Sequence, residues 1–198
     1  MSDLLVATNN AGKLAEFRRL LVPLPARVLA PADVGLDLEP DEPHATYAAN
    51  AAAKADAFCR ASRLLTLADD SGIEVAALGW GPGVRSARWA GAAGRNAERL
   101  LEELGDAADR RARMVCWLSV AIPEDGDRDP RIELFSGSVE GEVARERRGG
   151  GGFGYDPVFL LPTGVTTAEL ADEEKDRLSH RGRAVAAALP RLRELLGA

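Results

Sequence analysis

Apolar and polar positions follow two periods along this chain, and the switches between them mark its elements. Residues 3–8 (Asp-Leu-Leu-Val-Ala-Thr) are a short apolar run that reads as a buried strand. From about Gly12 to Val22, Leu14, Phe17 and Leu21 recur at helical spacing. Strand, polar turn and helix in succession open an α/β fold. Between 31 and 45, Pro31, Pro40 and Pro43 stand among Asp37, Glu39, Asp41 and Glu42, which predicts a loop. An alanine-rich helix is predicted from about Thr46 to Ser62, with Tyr47, Ala51, Ala55 and Phe58 as its inner stripe.

The next run, "LLTLADDSGIEVAAL", predicts a strand ending at Asp69-Asp70, a Ser71-Gly72 turn and a second strand. Gly79, Gly81, Pro82 and Gly83 break the chain before "SARWAG", and Asn96 to Leu104 reads as a third helix ended by Gly105. "RMVCWLSVAI", "RIELFSGSV" and "GEVARE" read as successive strands, the first two separated by the turn-rich "PEDGDRDP". "GGGGFGYDPVFL" is a glycine loop entering a strand. A last helix is expected from near Ser179, and Pro190 is expected to kink or divide it.

With 198 residues the chain has enough length for one sizeable core, so residues 1–198 are expected to form one domain, a two-lobed variant included. No run approaches the roughly 18 apolar residues of a membrane span, and Met1-Ser2-Asp3 lacks the basic flank of a signal peptide. A cytoplasmic location is expected. Cys59 and Cys116 lie inside apolar segments, without ligand spacing to each other or to His44 and His180, and read as small buried hydrophobes. A net charge of −6 argues against a nucleic-acid polymer as partner, while a small anion held by a few local cations stays possible.

Those cations have an uneven distribution. Of the 25 basic residues only Lys13, Lys54 and Lys175 are lysines. Lys13 lies in "VATNNAGKLAEF", which has the strand, turn and helix of a phosphate loop but lacks the first glycine and the Ser/Thr of a Walker A motif. Backbone N–H groups at a helix start attract anions, and Thr8, Asn9, Asn10 and Gly12 suit such a site; a capped surface helix has nearly the same signature. Thr46, Asn50 and Lys54 recur every four residues as one polar stripe, either a solvated face or a phosphate contact. Asp69-Asp70 at a strand's carboxyl end suits ligand binding, with Asp70 a candidate Mg²⁺ ligand or base and Glu42 a second carboxylate from a loop that otherwise reads as solvated. Phe153, after the glycines, offers a flat face for a base, and a tight turn competes with that reading. His180 and Arg181 follow the expected cap Ser179, His180 being either a packing residue or a ligand contact.

Taken in order, "TNNAGKLAE", "TYAANAAAKA", "LADDSGIEV", "GPGVRSARWAG", "GGFGYDPVF" and "ELADEEKDRLSHRGRA" resemble the inosine/xanthosine triphosphate pyrophosphatases over nearly the whole chain. The resemblance implies an elongated, mixed central sheet flanked by helices, with the substrate cleft between two lobes. It implies a cytosolic homodimer that hydrolyses dITP, ITP and XTP to the monophosphate and pyrophosphate with Mg²⁺, keeping deaminated purines out of DNA and RNA. By position, Thr8, Asn9, Asn10, Ala11, Gly12, Lys13 and Lys54 would hold the triphosphate. Asp70 would be proton acceptor and metal ligand with Glu42, and Ser71 would touch substrate. Phe153, Gly154, Tyr155, Asp156, Lys175, His180 and Arg181 would bind the nucleotide, largely around the base. One departure stands out, because Ala49 occupies a position where the family usually has glutamate. Two rival readings are a pyrophosphatase for other modified nucleotides, pyrimidines among them, and a nucleotide-binding module without hydrolysis.

Overall fold

A computed structural model describes residues 2–91, 95–126 and 128–197. Its seven strands join one mixed sheet in the order β2-β1-β3-β5-β6-β7, with β4 paired to β3. The strands are β1 (Ser2–Val6), β2 (Ala26–Leu29), β3 (Leu65–Val75), β4 (Gly81–Pro82), β5 (Arg111–Ile122), β6 (Arg131–Val143) and β7 (Phe159–Leu160). The α-helices are α1 (Ala11–Leu20), α2 (Tyr47–Ser62), α3 (Asn96–Leu104), α4 (Asp172–Leu178) and α5 (His180–Leu196). The chain divides into two compact units, the first made of Met1–Asp70, Cys116–Gly137 and Arg183–Ala198, the second of Ser71–Val115 and Ser138–Gly182.

In the first unit, the period of two along β1 sends neighbouring residues into different cores. Leu4 and Val6 pack with Phe17 of α1, with Leu21 that caps its C-terminus, and with Ala184, Val185, Ala188 and Leu192 of α5. Leu5 and Ala7 pack with Ala55, Phe58 and Cys59 of α2. Helices therefore cover both faces of these parallel strands, as an all-apolar strand requires. Cys59 and Cys116 are buried, in keeping with their apolar setting. In the second unit, Ile73, Val75, Leu100, Leu104, Val139, Val143, Tyr155 and Phe159 form the main core.

Several predicted boundaries move. Ser71-Gly72 is not a turn, because β3 runs without interruption from Leu65 to Val75. Burial of Ile73 and Val75, and the pairing of Glu74 with Pro82 and Val75 with Gly81, outweigh local turn chemistry. Likewise β6 is one strand from Arg131 to Val143, where two were expected. Gly141 permits close approach rather than ending the strand, since a Cβ there would meet the Leu160 carbonyl oxygen at 2.3 Å. Within the predicted 31–45 loop, Pro31–Val34 form a short 3-10 helix. The glycine loop meets a 3-10 turn at Asp156–Val158 before reaching β7. Helix α4 was not predicted; its acids Asp172, Glu173 and Glu174 suit the positive end of the helix dipole. Pro190 does not divide α5, because Leu192 beyond it is fully buried and holds the next turn in place. Asp127 of the turn-rich "PEDGDRDP" lies outside the described residues.

Candidate active site

β1 and β3 are parallel and in register at Leu4–Leu65, Leu5–Thr66 and Val6–Leu67. The ladder closes where the Ala7 N–H donates to the Leu67 carbonyl at 2.7 Å. Beyond it β1 gives way to α1 while β3 continues, so Asp69 and Asp70 stand at the carboxyl end of the parallel ladder though not of their strand. Asn10 caps α1, its Oδ1 accepting from the Lys13 N–H at 3.0 Å. Thr8 Oγ1 accepts from the Asn10 N–H at 3.2 Å, and Asn9 Nδ2 donates to the Leu38 carbonyl at 3.2 Å, tying the turn to the acidic segment. Ala11 and Gly12 form the first turn, whose N–H groups lack helical acceptors.

Lys13 Nζ lies 3.0 Å from Asp69 Oδ2. Lys54 Nζ donates to the Asp69 backbone carbonyl at 3.2 Å and pairs with the Glu42 carboxylate. Alternation along β3 turns the neighbouring carboxylate elsewhere, and Asp70 Oδ2 accepts from Asn50 Nδ2 at 2.9 Å. Burial pushes the Asp70 carboxyl above the usual carboxylate range; Asn50 opposes this, Glu42's charge adds to it, and Lys13 and Lys54 oppose it. The first unit thus gathers three carboxylates and two ammonium groups around one strand. Ala49, one position before Asn50, adds no carboxylate; its N–H donates to Thr46 Oγ1 at 3.3 Å.

The donor set suits a hard divalent cation. Glu42 acts electrostatically on Asp70, so a cation taken by this pair would relieve their repulsion. No group of three or more His, Cys, Asp or Glu side chains able to hold a metal occurs among the described residues.

The second unit holds the remaining candidates. Asp156 is buried and its two oxygens serve three side chains or backbone groups: Oδ2 accepts from the Phe153 N–H at 2.7 Å and from Lys175 Nζ at 2.6 Å, and Oδ1 accepts from Thr167 Oγ1 at 2.9 Å. Lys175 and Arg181 face the Phe153 ring at 5.2 and 5.7 Å from its centroid. Arg181 also donates to Ser71 Oγ at 3.0 Å. Ser179 caps α5, accepting from the Gly182 N–H at 3.0 Å, and buried His180 opens that helix. Tyr155 is buried and its hydroxyl donates to the Ser86 carbonyl at 2.9 Å; burial raises its phenol pKa. Gly154 has a φ of +61°, which lets the chain turn between Phe153 and Tyr155.

Sequence reasoning placed Lys13, Lys54, Asp70 and Glu42 in one cluster, and the fold brings them together. Lys175, expected with Phe153 to Asp156 around the base, lies in the second unit with its ammonium on Asp156. Asn50 had been noted only as part of a polar stripe. Its spacing of four from both Thr46 and Lys54 was the available signal.

A model of the Ham1 family matches residues 4–191. The chain belongs to the Ham1 family. A relative in that family from Ralstonia nicotianae, named dITP/XTP pyrophosphatase, is 48% identical over 200 residues, covering 98% of each chain. One of the same name from Nitrosomonas europaea is 46% identical, covering 98% of this chain and 96% of its own. Among solved structures, a HAM1 protein from Coxiella burnetii superposes with a TM-score of 0.83 at 36% identity over the full length of both chains. A nucleoside-triphosphatase / dITP/XTP pyrophosphatase from Mycobacterium abscessus gives 0.72 at 40% identity, covering 95% of this Ham1 chain and 99% of its own.

Proposed function

We propose that this chain hydrolyses deaminated purine nucleoside triphosphates, dITP, ITP and XTP, to the monophosphate and pyrophosphate, with Mg²⁺ as cofactor. The observation that carries the reading is the cluster of Lys13, Lys54, Glu42, Asp69 and Asp70 at the end of the β1–β3 ladder, in a chain similar along almost its whole length to proteins named for that reaction. Thr8 to Lys13 and Lys54 take the triphosphate in this reading. Phe153 to Asp156, Lys175, His180 and Arg181 serve the nucleoside end, with Ser71 also touching substrate.

Glu42 and Asp70 would hold the Mg²⁺, which when bound polarises phosphate oxygens and offsets their charge. Asp70 orients a water toward the α-phosphorus and accepts its proton as the new P–O bond forms. The bond from the α-phosphorus to its bridging oxygen breaks, and Lys13 and Lys54 balance the charge that leaves with pyrophosphate. Hypoxanthine and xanthine carry an oxygen at C6 where adenine carries an amino group. Donors in the second unit, among them Arg181, then accept the former bases and leave ATP unpaired.

A homodimer in the cytoplasm is part of the proposal; no helix among the described residues is long and apolar enough to cross a membrane. Incubation with ITP, dITP or XTP and Mg²⁺ tests the reaction. IMP with pyrophosphate from ITP is the expected outcome, and IDP with phosphate, or no product, overturns it.

A further inference from the structure

Asn50 makes three side-chain hydrogen bonds, all within the first unit. Its Oδ1 accepts from the His44 N–H at 3.0 Å and its Nδ2 donates to the His44 carbonyl at 3.3 Å, so one primary amide pairs with both polar groups of one residue's backbone. The same Nδ2 donates to Asp70 Oδ2 at 2.9 Å. The residue is 2% exposed and sits on the first turn of α2, a rigid element anchored through Tyr47, Ala51, Ala55 and Phe58.

His44 lies two residues after Glu42, in the acidic segment that precedes α2. The segment has no regular secondary structure between residues 36 and 44; Leu36 and Leu38 pack against the cluster that holds Ala55 and Phe58 of α2, and Lys54 of α2 pairs with Glu42. The His44 clamp fixes its last residues relative to α2. On the other side of the same amide, Asp70 is fixed relative to α2 as well. Two carboxylates that come from sequence positions 28 residues apart are thereby referred to one side chain.

We propose that Asn50 is the positioning residue that sets Glu42 and Asp70 in register for a divalent cation. The inference rests on the reading of those two carboxylates as the metal-holding pair. Asparagine meets a requirement that similar residues do not. Aspartate keeps an acceptor for the His44 N–H but presents a carboxylate to Asp70 in place of a donor, and alanine removes all three bonds. Partners that orient metal ligands in this way typically change affinity or activity by about 10–100-fold when removed.

The test uses the full chain and two variants. In Asn50→Ala, hydrogen exchange followed by mass spectrometry is expected to show lost protection at His44. Mn²⁺ titration followed by electron paramagnetic resonance, without nucleotide, is expected to show affinity weakened by about tenfold or more. In Asn50→Asp, His44 protection is expected to persist while kcat for ITP falls by about tenfold or more and KM changes much less. Thermal melts report whether each variant is folded, and Asn50→Asp, nearly isosteric, carries the test if Asn50→Ala does not fold. Wild-type kcat in Asn50→Asp, with Asp70→Asn inactive, overturns the inference and leaves the reading of the site intact. Wild-type kcat in Asp70→Asn overturns both.

Discussion

Lys13 Nζ lies 3.0 Å from Oδ2 of Asp69, a carboxylate whose side chain is 1% exposed, while Lys54 is paired with Glu42, which is 18% exposed. The two lysines proposed for the triphosphate therefore have different structural debts. Lys13→Ala removes the ion-pair partner of a buried carboxylate and is expected to cost about 3 kcal/mol of stability. Lys54→Ala leaves a carboxylate that water still reaches and is expected to cost about 1 kcal/mol or less. Urea denaturation of both variants measures the difference. Adding Asp69→Asn to Lys13→Ala should return most of the lost stability without restoring the KM for ITP.

Asp70 carries the opposite conflict. Its carboxyl pKa is raised by burial, so in the metal-free protein this group's contribution to stability is fully present below its unfolded value, about 3.9, and is lost as the pH rises through the folded value. Asp70→Asn removes that penalty. Its melting temperature should exceed the wild type's at pH 8, by roughly 2–4 °C for each kcal/mol regained, and should match it near pH 3. Its kcat should nevertheless fall by about 10² or more, with a smaller change in KM.

Gly152 has a φ of +68°, and a Cβ there would stand 2.2 Å from Asp156 Oδ2 and 2.8 Å from Lys175 Nζ. Gly152→Ala must shift the carboxylate that joins the Phe153 backbone, Lys175 and Thr167. A stability loss of about 1–3 kcal/mol is expected from the backbone conformation alone. The KM for ITP should rise together with it, whereas Gly150→Ala, where a Cβ meets nothing within 4 Å, should leave both close to wild type.

Phe153 separates stacking from charge. Phe153→Leu keeps an apolar side chain but removes the aromatic face toward which Lys175 and Arg181 point. If a purine stacks there, the KM for ITP should rise by about five- to 150-fold, corresponding to about 1–3 kcal/mol for base–aromatic stacking. Inorganic pyrophosphate, which has no base, should inhibit the variant and the wild type equally.

How much of this was legible in the sequence differs from element to element. Helix α2 could be read almost to the residue, because Tyr47, Ala51, Ala55 and Phe58 repeat at helical spacing and Thr46 is a good cap. The continuity of β3 could not, because Asp-Asp-Ser-Gly carries the local chemistry of a turn and the pairing that overrides it comes from Gly81 and Pro82. At the site, Lys13, Lys54 and Asp70 stood out by residue type and placement. Asn50 did not, since its importance lies in contacts with Asp70, twenty residues on, and with the backbone of a loop that has no pattern of its own. Asp156 was legible as part of a motif, but its commitment to Lys175 depends on α4, a seven-residue helix too short and too polar to show a periodic face, and that to Thr167 on the short 3-10 turn Thr167–Glu169.

The core beneath α1 places a condition on synthesis. Ala184, Val185, Ala188 and Leu192 of α5 pack against the same cluster as Phe17 and Leu21, the residues that seat the helix carrying Lys13. A chain emerging from the ribosome has made Lys13, Lys54 and Asp70 by residue 70, yet it cannot complete the apolar support for α1 until residues 184–192 are out. Termination between Asp70 and Leu192 thus leaves every residue proposed for the triphosphate present and the scaffold beneath them unfinished.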